Sequence, residues 1–326
     1  MKKRGLLLLM AVAVGWLLPG LAWGQGFKPS KPIEAVVHTD PGGGSDIFAR
    51  AIAEMVEKEK ILPQRMHVLN KAGGSGLVMM AYLAEKKAET HTIGFSTNTQ
   101  VVTPLTRKEA KYTTRDLTPI ARLVLEPSIV VVKADSPYKT FRDFLEAAKK
   151  NPGTLKMSGG SVTSVENLFR LLIQKATGAK WDFISFPGGG ERISNLLGGN
   201  VQLMMPQPAE VSEHIRGGNL RVIAALTEKR MEAFPNVPTI KEDGINVPIL
   251  VQARGVLAPP GIAPDVVSYW EGAFGRLVKA AAWKKYLKEN QLEDGYLGSG
   301  QFRDFLDRQT DLFRSVLQEA GVKVAR

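Results

Sequence analysis

Short apolar runs alternate with amphipathic segments along most of the chain, and the junctions between them are polar or rich in glycine. Ile33–Val37 is a mostly apolar run that suits a strand covered on both faces. Phe48, Ala51, Ile52, Met55 and Val56 then recur at helical spacing and predict one buried face. Residues 66–70 and 91–97 predict a second and a third strand. Between them, residues 77–89 have helical composition, with Leu77, Met80 and Leu83 on one side. This alternation predicts a doubly wound parallel sheet. Residues 117–133 form the longest extended apolar stretch, broken by Pro119 and Pro127, and are a candidate crossing into a second unit. The pattern then begins again, with a helix marked by Phe141, Phe144, Leu145 and Ala148 and a strand over 155–157. A helix with Val165, Leu168, Leu171 and Leu172 on one face follows, then strands over 181–186 and 201–205. Leu220–Leu226 is expected to carry the chain back. Amphipathic helices over 264–287 and 301–320 are expected to pack on the first sheet.

The junctions carry the candidate chemistry. Pro41 ends the first strand, and Gly42, Gly43 and Gly44 permit a turn that side chains would obstruct. Ser45 or Asp46 is expected to cap the helix that follows. Such a strand, turn and helix start aim free backbone N–H groups at one point, where the helix dipole favours an anion. The plainer alternative is an ordinary strand-to-helix turn. A dinucleotide fingerprint is excluded, because Ile47 stands at its sixth position counted from Gly42. No glycine precedes Lys-Ser or Lys-Thr in phosphate-loop fashion. A hydrolase elbow fails at Ser45 and Ser75, where Ile47 and Leu77 replace its last glycine. Binding is therefore favoured over bond-making. Ligands of doubly wound sheets lie beyond the carboxyl ends of the strands. The turns at 41–46 and 70–76, with Ser96 and Thr97, all fall at such ends. Ser158, Ser161, Thr163 and Ser164 form a second polar turn, which either donates to an anion or merely caps its helix. Asp46 would repel a carboxylate in contact with it, so a cap or a ligand hydroxyl or amine is the better partner.

The ends and the composition narrow the class. Lys2, Lys3 and Arg4 precede an apolar core too short to span a bilayer comfortably, and small residues stand at 22 and 24. Residues 1–24 read as a cleavable secretory signal, which implies a periplasmic protein. Losing them removes three basic and no acidic residues, lowering the formal charge from +11 to +8 and leaving 302 of 326 residues. That length accommodates two lobes. Basic residues are scattered among acids, so no nucleic-acid partner is expected. There is no cysteine, and His38, His67, His91 and His214 lack metal-ligand spacing, so neither metal nor cofactor is expected.

Five motifs occur in order: Pro-Gly-Gly-Gly-Ser-Asp at 41–46, Asn-Lys-Ala-Gly-Gly-Ser-Gly at 70–76, Leu-Leu-Gly-Gly at 196–199, Asn-Val-Pro-Thr-Ile at 236–240 and Gly-Val-Leu-Ala-Pro-Pro-Gly at 255–261. Together they resemble the solute-binding subunits of tripartite tricarboxylate transporters, the Bug family, over nearly all of residues 30–323. The resemblance implies an α/β, type II periplasmic-binding-protein (Venus flytrap) fold of two lobes, each a doubly wound sheet flanked by helices. On this reading residues 25–123 and 226–326 form the first lobe and 124–225 the second. It also implies a carboxylate site between the lobes, held by Pro41 to Asp46 and by Ser158 to Ser164. Ser161-Val-Thr-Ser164 departs at two positions from an Asn-Gly-Thr-Ser sequence frequent in the family. A further turn with an aromatic residue, a lysine and two glycines is represented by Phe186, Pro187, Gly188 and Gly189, without the lysine. Pro206-Gln207 replaces an Asp-Asn pair.

Arg254 stands where many relatives place an aromatic residue, after a run over 248–251 that predicts a returning strand. At a strand end facing the cleft it would pair with a second carboxylate of the solute; otherwise it is a surface arginine beside an acid. The expected function is capture of a small organic carboxylate, with di- and tricarboxylates as candidates, by a monomer that delivers it to membrane permease subunits. A secreted enzyme acting on a carboxylic acid and a sensory binding protein signalling to a membrane kinase are the alternatives.

Overall fold

The structure is a computed structural model describing residues 26–186 and 188–325; the expected signal over 1–24, and Pro187, lie outside the described residues. Its first part follows the predicted alternation closely: β1 (Ile33–Val37), α1 (Gly44–Lys58), β2 (Met66–Asn70), α2 (Leu77–Glu85) and β3 (Thr92–Ser96). Strand β1 lies between β2 and β3 and is parallel to both. Four of its five residues are buried, as a strand covered on both faces requires. The helix expected over 77–89 ends at Glu85, and positive φ at Ala88 marks the turn that follows.

A third helix, α3 (Thr99–Thr106), was not predicted. Its β-branched residues and internal Pro104 disfavour helix locally, yet all but its last residue are buried. Packing overrides propensity here. The extended stretch after it splits at Pro127 into β4 (Thr118–Glu126) and β5 (Ser128–Lys133), which belong to different sheets. Pro127 is therefore the point of crossing.

The second unit continues with α4 (Phe141–Lys150), β6 (Lys156–Gly159), α5 (Val165–Thr177), β7 (Asp182–Ser185), α6 (Gly189–Leu197), β8 (Leu203–Met204), α7 (Pro208–Arg216) and β9 (Leu220–Leu226). The chain then returns through residues 227–251 to β10 (Gln252–Ala258), α8 (Pro264–Leu277), α9 (Ala281–Asn290), β11 (Glu293–Leu297) and α10 (Ser299–Glu319). The expected strand over 248–251 is not one, and the pairing begins at Gln252 instead. The single helix expected over 264–287 is two, parted after Leu277.

Both sheets are mixed, which corrects the expectation of parallel sheets. The first has the order β11-β4-β10-β3-β1-β2 and the second β7-β6-β8-β5-β9. In the first, β10 runs antiparallel to both β3 and β4. In the second, β6 is parallel to β7 and β8, while β5 is antiparallel to β8 and β9. Each sheet thus has a parallel half that feeds helices and an antiparallel half that carries the crossings.

Helices α8 and α9 cover the first sheet as expected: Trp270, Phe274 and Trp283 are buried in one cluster with Ile33, Phe48 and Phe95. Phe48 meets Phe95 edge to face, their ring centroids 5.9 Å apart. Burying one such ring is worth about 1.5–3 kcal/mol. A second cluster runs across the two sheets: Val102 of α3, Leu172 of α5 and Phe313 of α10 belong to it together. The C-terminal helix therefore braces both units.

Candidate functional site

Helices α1, α2, α3, α5 and α7 all start beside one cavity of about 210 Å³ between the two sheets. From the first sheet it is lined by residues following β1 (His38, Thr39, Gly44, Ser45), β2 (Ala72, Gly73, Ser75, Gly76) and β3 (Thr97, Thr99). From the second it is lined by residues following β6 (Gly160, Ser161, Ser164, Glu166), the end of β7 (Ser185), and Arg192, Gln207 and Glu210 of the helical segments beyond. Gln252 and Arg254 complete it. They reach it because β10 is antiparallel to β3, which brings the start of β10 beside the carboxyl end of its neighbour.

The glycine turn is held from behind by Asp46. Asp46 is 2% exposed and accepts from the Gly42 N–H at 2.9 Å, from Asn70 Nδ2 at 2.9 Å and from Arg50 Nε at 3.0 Å. Asn70 also donates to the Thr39 carbonyl at 2.8 Å, tying the end of β2 to the turn. Burial alone would raise the Asp46 pKa; the bonds from Arg50, Gly42 and Asn70 outweigh it and hold the carboxyl below its ordinary value. The residue at the helix N-cap is Gly43, so neither Ser45 nor Asp46 caps as expected; Asp46 reaches back from the first turn to the loop. Glu166 does the same on the second sheet, accepting from the Gly160 N–H at 2.6 Å. In both turns an acid of the chain itself takes a loop N–H, leaving the helix start for something else.

The sequence-predicted residues separate into two sets. Gly44, Ser45, Thr97, Ser161, Ser164 and Arg254 line the cavity. Pro41, Gly42, Gly43, Asp46, Ser96, Ser158, Thr163, Phe186, Gly188 and Gly189 do not. Several of these shape it instead. Ser158 is fully buried and donates to the Arg192 carbonyl. Phe186 packs with Ile129, Val131 and Leu196, away from the cavity. A Cβ at Gly189 would lie 2.6 Å from the Gly42 carbonyl oxygen, so the turns of the two sheets touch there.

Arg254 is neither on the surface nor at a strand end. It is 3% exposed, inside β10, with Nε 2.6 Å from Glu126 Oε2 and Nη1 donating to Ser45 Oγ at 3.1 Å. Its guanidinium lies over the Phe48 ring, 5.4 Å from the centroid. Across the cavity Arg192 Nη1 donates to Glu210 Oε2 at 3.0 Å, and Nη2 stands 3.1 Å from Glu166 Oε1. Burial pushes the Glu126 and Glu166 carboxyls up, opposed by Arg254 and Arg192 respectively. The guanidiniums remain charged, since their carboxylates more than offset the burial that would lower them. His38 is drawn down to about 4, by burial first and then by Arg254. Its imidazole is neutral at pH 7.

Glu166, Arg192 and Glu210 were not foreseen, and Gln207, noted only as replacing part of an Asp-Asn pair, lines the cavity. Arg192 leaves a trace in the sequence: it sits on the inward stripe of α6 between Gly189 and Leu196, where an apolar residue would be expected. Glu166 and Glu210 read as ordinary first-turn acids, and nothing in the sequence pairs them with it.

Residues 48–322 match the family model described as the tripartite tricarboxylate transporter family receptor. The chain belongs to this family. A Cupriavidus necator relative, the UPF0065 protein in the gbd 5′ region, is 30% identical over 306 residues, covering 91% of this chain and 90% of its own. Protein BugT of Bordetella pertussis is 26% identical over 299 residues, covering 91% of each. The structure of a TctC solute-binding protein from Polaromonas, without ligand, is 30% identical, with a TM-score of 0.64, covering 89% of this chain and 99% of that one. The family consists of periplasmic solute-binding receptors, and this chain shares the fold of their solved structures.

Proposed function

We propose that this receptor captures a small organic carboxylate between two lobes and delivers it to membrane permease subunits. The observation that carries the reading is the convergence of α1 and α5, from opposite sheets, on one cavity. Helix N-termini favour an anion, and Ser45, Ser75, Thr97, Thr99, Ser161 and Ser164 add hydroxyls around them. Because each sheet supplies half of the site, the solute stabilises the closed arrangement to the extent that it prefers it. The two lobes proposed part at Pro127 and beyond Leu226, and they move about these crossings. Strand β4 runs in the first sheet to Glu126 and β9 in the second to Leu226, a few residues past the expected bounds at 123 and 225. The protein acts as a monomer and is exported with cleavage after residue 24.

Native mass spectrometry of protein purified without refolding identifies retained solute, and calorimetry with Gly43→Val tests the turn. A Cβ at Gly43 would stand 2.7 Å from Thr39 Cβ, so valine displaces the turn from its place beside α1. Binding should be lost while far-UV circular dichroism is kept; unchanged affinity removes this turn from the site. An enzymatic reading has one geometric support, Ser45 Oγ and His38 Nδ1 at 3.5 Å. Conversion of the solute during incubation would favour it over capture.

A further inference from the structure

Carboxyl groups outnumber guanidiniums around the cavity. Glu126, Glu166 and Glu210 share two guanidiniums, Arg254 and Arg192. All five are buried or nearly so: Glu210, the most open, has 10% of its side chain exposed. His38 is the other basic side chain among the described lining residues, and it is neutral. Arg254 is committed to Glu126, and Arg192 bridges Glu166 and Glu210.

One carboxyl oxygen among them has no donor. Glu210 Oε2 accepts from Arg192, but Oε1 accepts no hydrogen bond among the described residues. It points toward the start of α1, where a Cβ at Gly44 would lie 2.5 Å from it and 2.8 Å from Arg254 Nη2. An acceptor-only oxygen therefore stands at the edge of the positive helix end that would hold a solute carboxylate.

We propose that the solute carries a protonated amine as well as a carboxylate, the amine donating to Glu210 Oε1 while the carboxylate faces the helix starts and hydroxyls. This rests on the carboxylate reading above and narrows it to an amino-carboxylate. A dicarboxylate would bring a second carboxylate, with no proton to donate, to the Glu210 side of a cavity of about 210 Å³. A zwitterion leaves the balance unchanged and gives Oε1 the donor it lacks. Arg254 then acts as a fixed internal cation that orients Ser45, and it does not receive a second solute carboxylate.

The test titrates the mature protein at pH 7.5 with three sets of solutes of three to six carbons: monocarboxylates, α,ω-dicarboxylates, and α- and ω-amino-carboxylates. Thermal shift screens each set and calorimetry measures affinity. An amino-carboxylate should bind at least tenfold tighter than the mono- and dicarboxylates of equal carbon count. Glu210→Gln should weaken it tenfold or more, and by clearly more than it weakens a monocarboxylate of equal carbon count. Glu210→Asp, which keeps the charge but shortens the reach, should lose less than Glu210→Gln, and circular dichroism checks that both fold. If a dicarboxylate or monocarboxylate binds best, or Glu210→Gln weakens all three sets alike, the inference falls and carboxylate capture stands. If no set binds, carboxylate capture falls and takes the inference with it.

Discussion

Thr103 of α3 and Thr163 of the turn before α5 share a hydrogen bond of 2.7 Å between their hydroxyls, which joins the first unit to the second. Thr103 also donates to the Ser75 carbonyl at 2.8 Å, which uses its one proton. Thr163 must then donate to Thr103. The Ser161 hydroxyl, 2.9 Å from Thr163 Oγ1, in turn donates to Thr163. The chain of hydroxyls has one direction, from the second unit to the first.

Thr163→Val breaks this chain at the crossing while keeping the side-chain shape. A net hydrogen bond is worth about 0.5–1.5 kcal/mol, so solute affinity should fall roughly 2–10-fold through loss of the closed state. Calorimetry with the solute identified by native mass spectrometry measures this. An affinity equal to wild type means the bond does not favour closure.

Gly189→Ala tests the contact between turns. The added Cβ would meet the Gly42 carbonyl oxygen at 2.6 Å, a backbone atom that cannot swing aside as a side chain does. Each unit should fold, but the turns should be wedged apart. Small-angle scattering should show a larger radius of gyration, and affinity should fall by more than tenfold. A variant as compact as wild type would show that the turns separate without cost.

The Arg254–Glu126 pair predicts strong non-additivity. Arg254→Met leaves Glu126 buried at 3% exposure without its partner, a situation that costs about 3–5 kcal/mol. Glu126→Leu with Arg254→Met removes both charges and should recover most of that stability. Urea unfolding of the two singles and the double closes the cycle. Additive losses would mean that the two charges are not coupled.

His38 predicts a stability slope in mild acid. Its folded pKa of about 4 lies below the ordinary value of 6.5. Between these values the unfolded chain binds a proton that the folded chain refuses, so stability is full above about pH 6.5 and declines as pH falls toward 4. The full shift corresponds to roughly 3 kcal/mol, and contact with water in the cavity reduces the loss to about 1–3 kcal/mol. Urea unfolding at pH 7 and pH 5 should show wild type losing more than His38→Gln. Equal losses would place the ring in ordinary solvent contact.

Much of the first unit was legible because its elements are local. The run Ile33–Val37, the Phe48 face and the strand Met66–Asn70 need only neighbours in sequence to declare themselves. Helix α3 was hidden because its stability comes from burial against α10 and not from Thr99, Val101, Val102 or Pro104. The site divides the same way. Its glycine turns and hydroxyls are contiguous and were visible, as was Arg254 as a residue out of place. The partners of Arg254 and Arg192 were not visible. Glu126 lies 128 positions before Arg254, and Glu166 and Glu210 flank Arg192 from separate helices. Only the fold brings such charges together. The role of Asn70 was hidden similarly: its motif was seen, but its grip on Asp46 and Thr39 depends on β2 lying beside β1.

Strand β10 sits in the middle of the first sheet, between β3 and β4, yet it is synthesised after the whole second unit. Until residues 252–258 arrive, β3 and β4 each present an open edge, and the central pairing of the sheet, Gly255 with Ser96, joins residues 159 positions apart. Assembly must therefore run from the inserted segment outward: the second sheet, whose strands are all contained in residues 128–226, is free to form early, and the first sheet is zipped last. In refolding, protection of the β5 and β9 amides should precede protection of β3 and β4, and chains ending before residue 252 should aggregate through the unfilled gap.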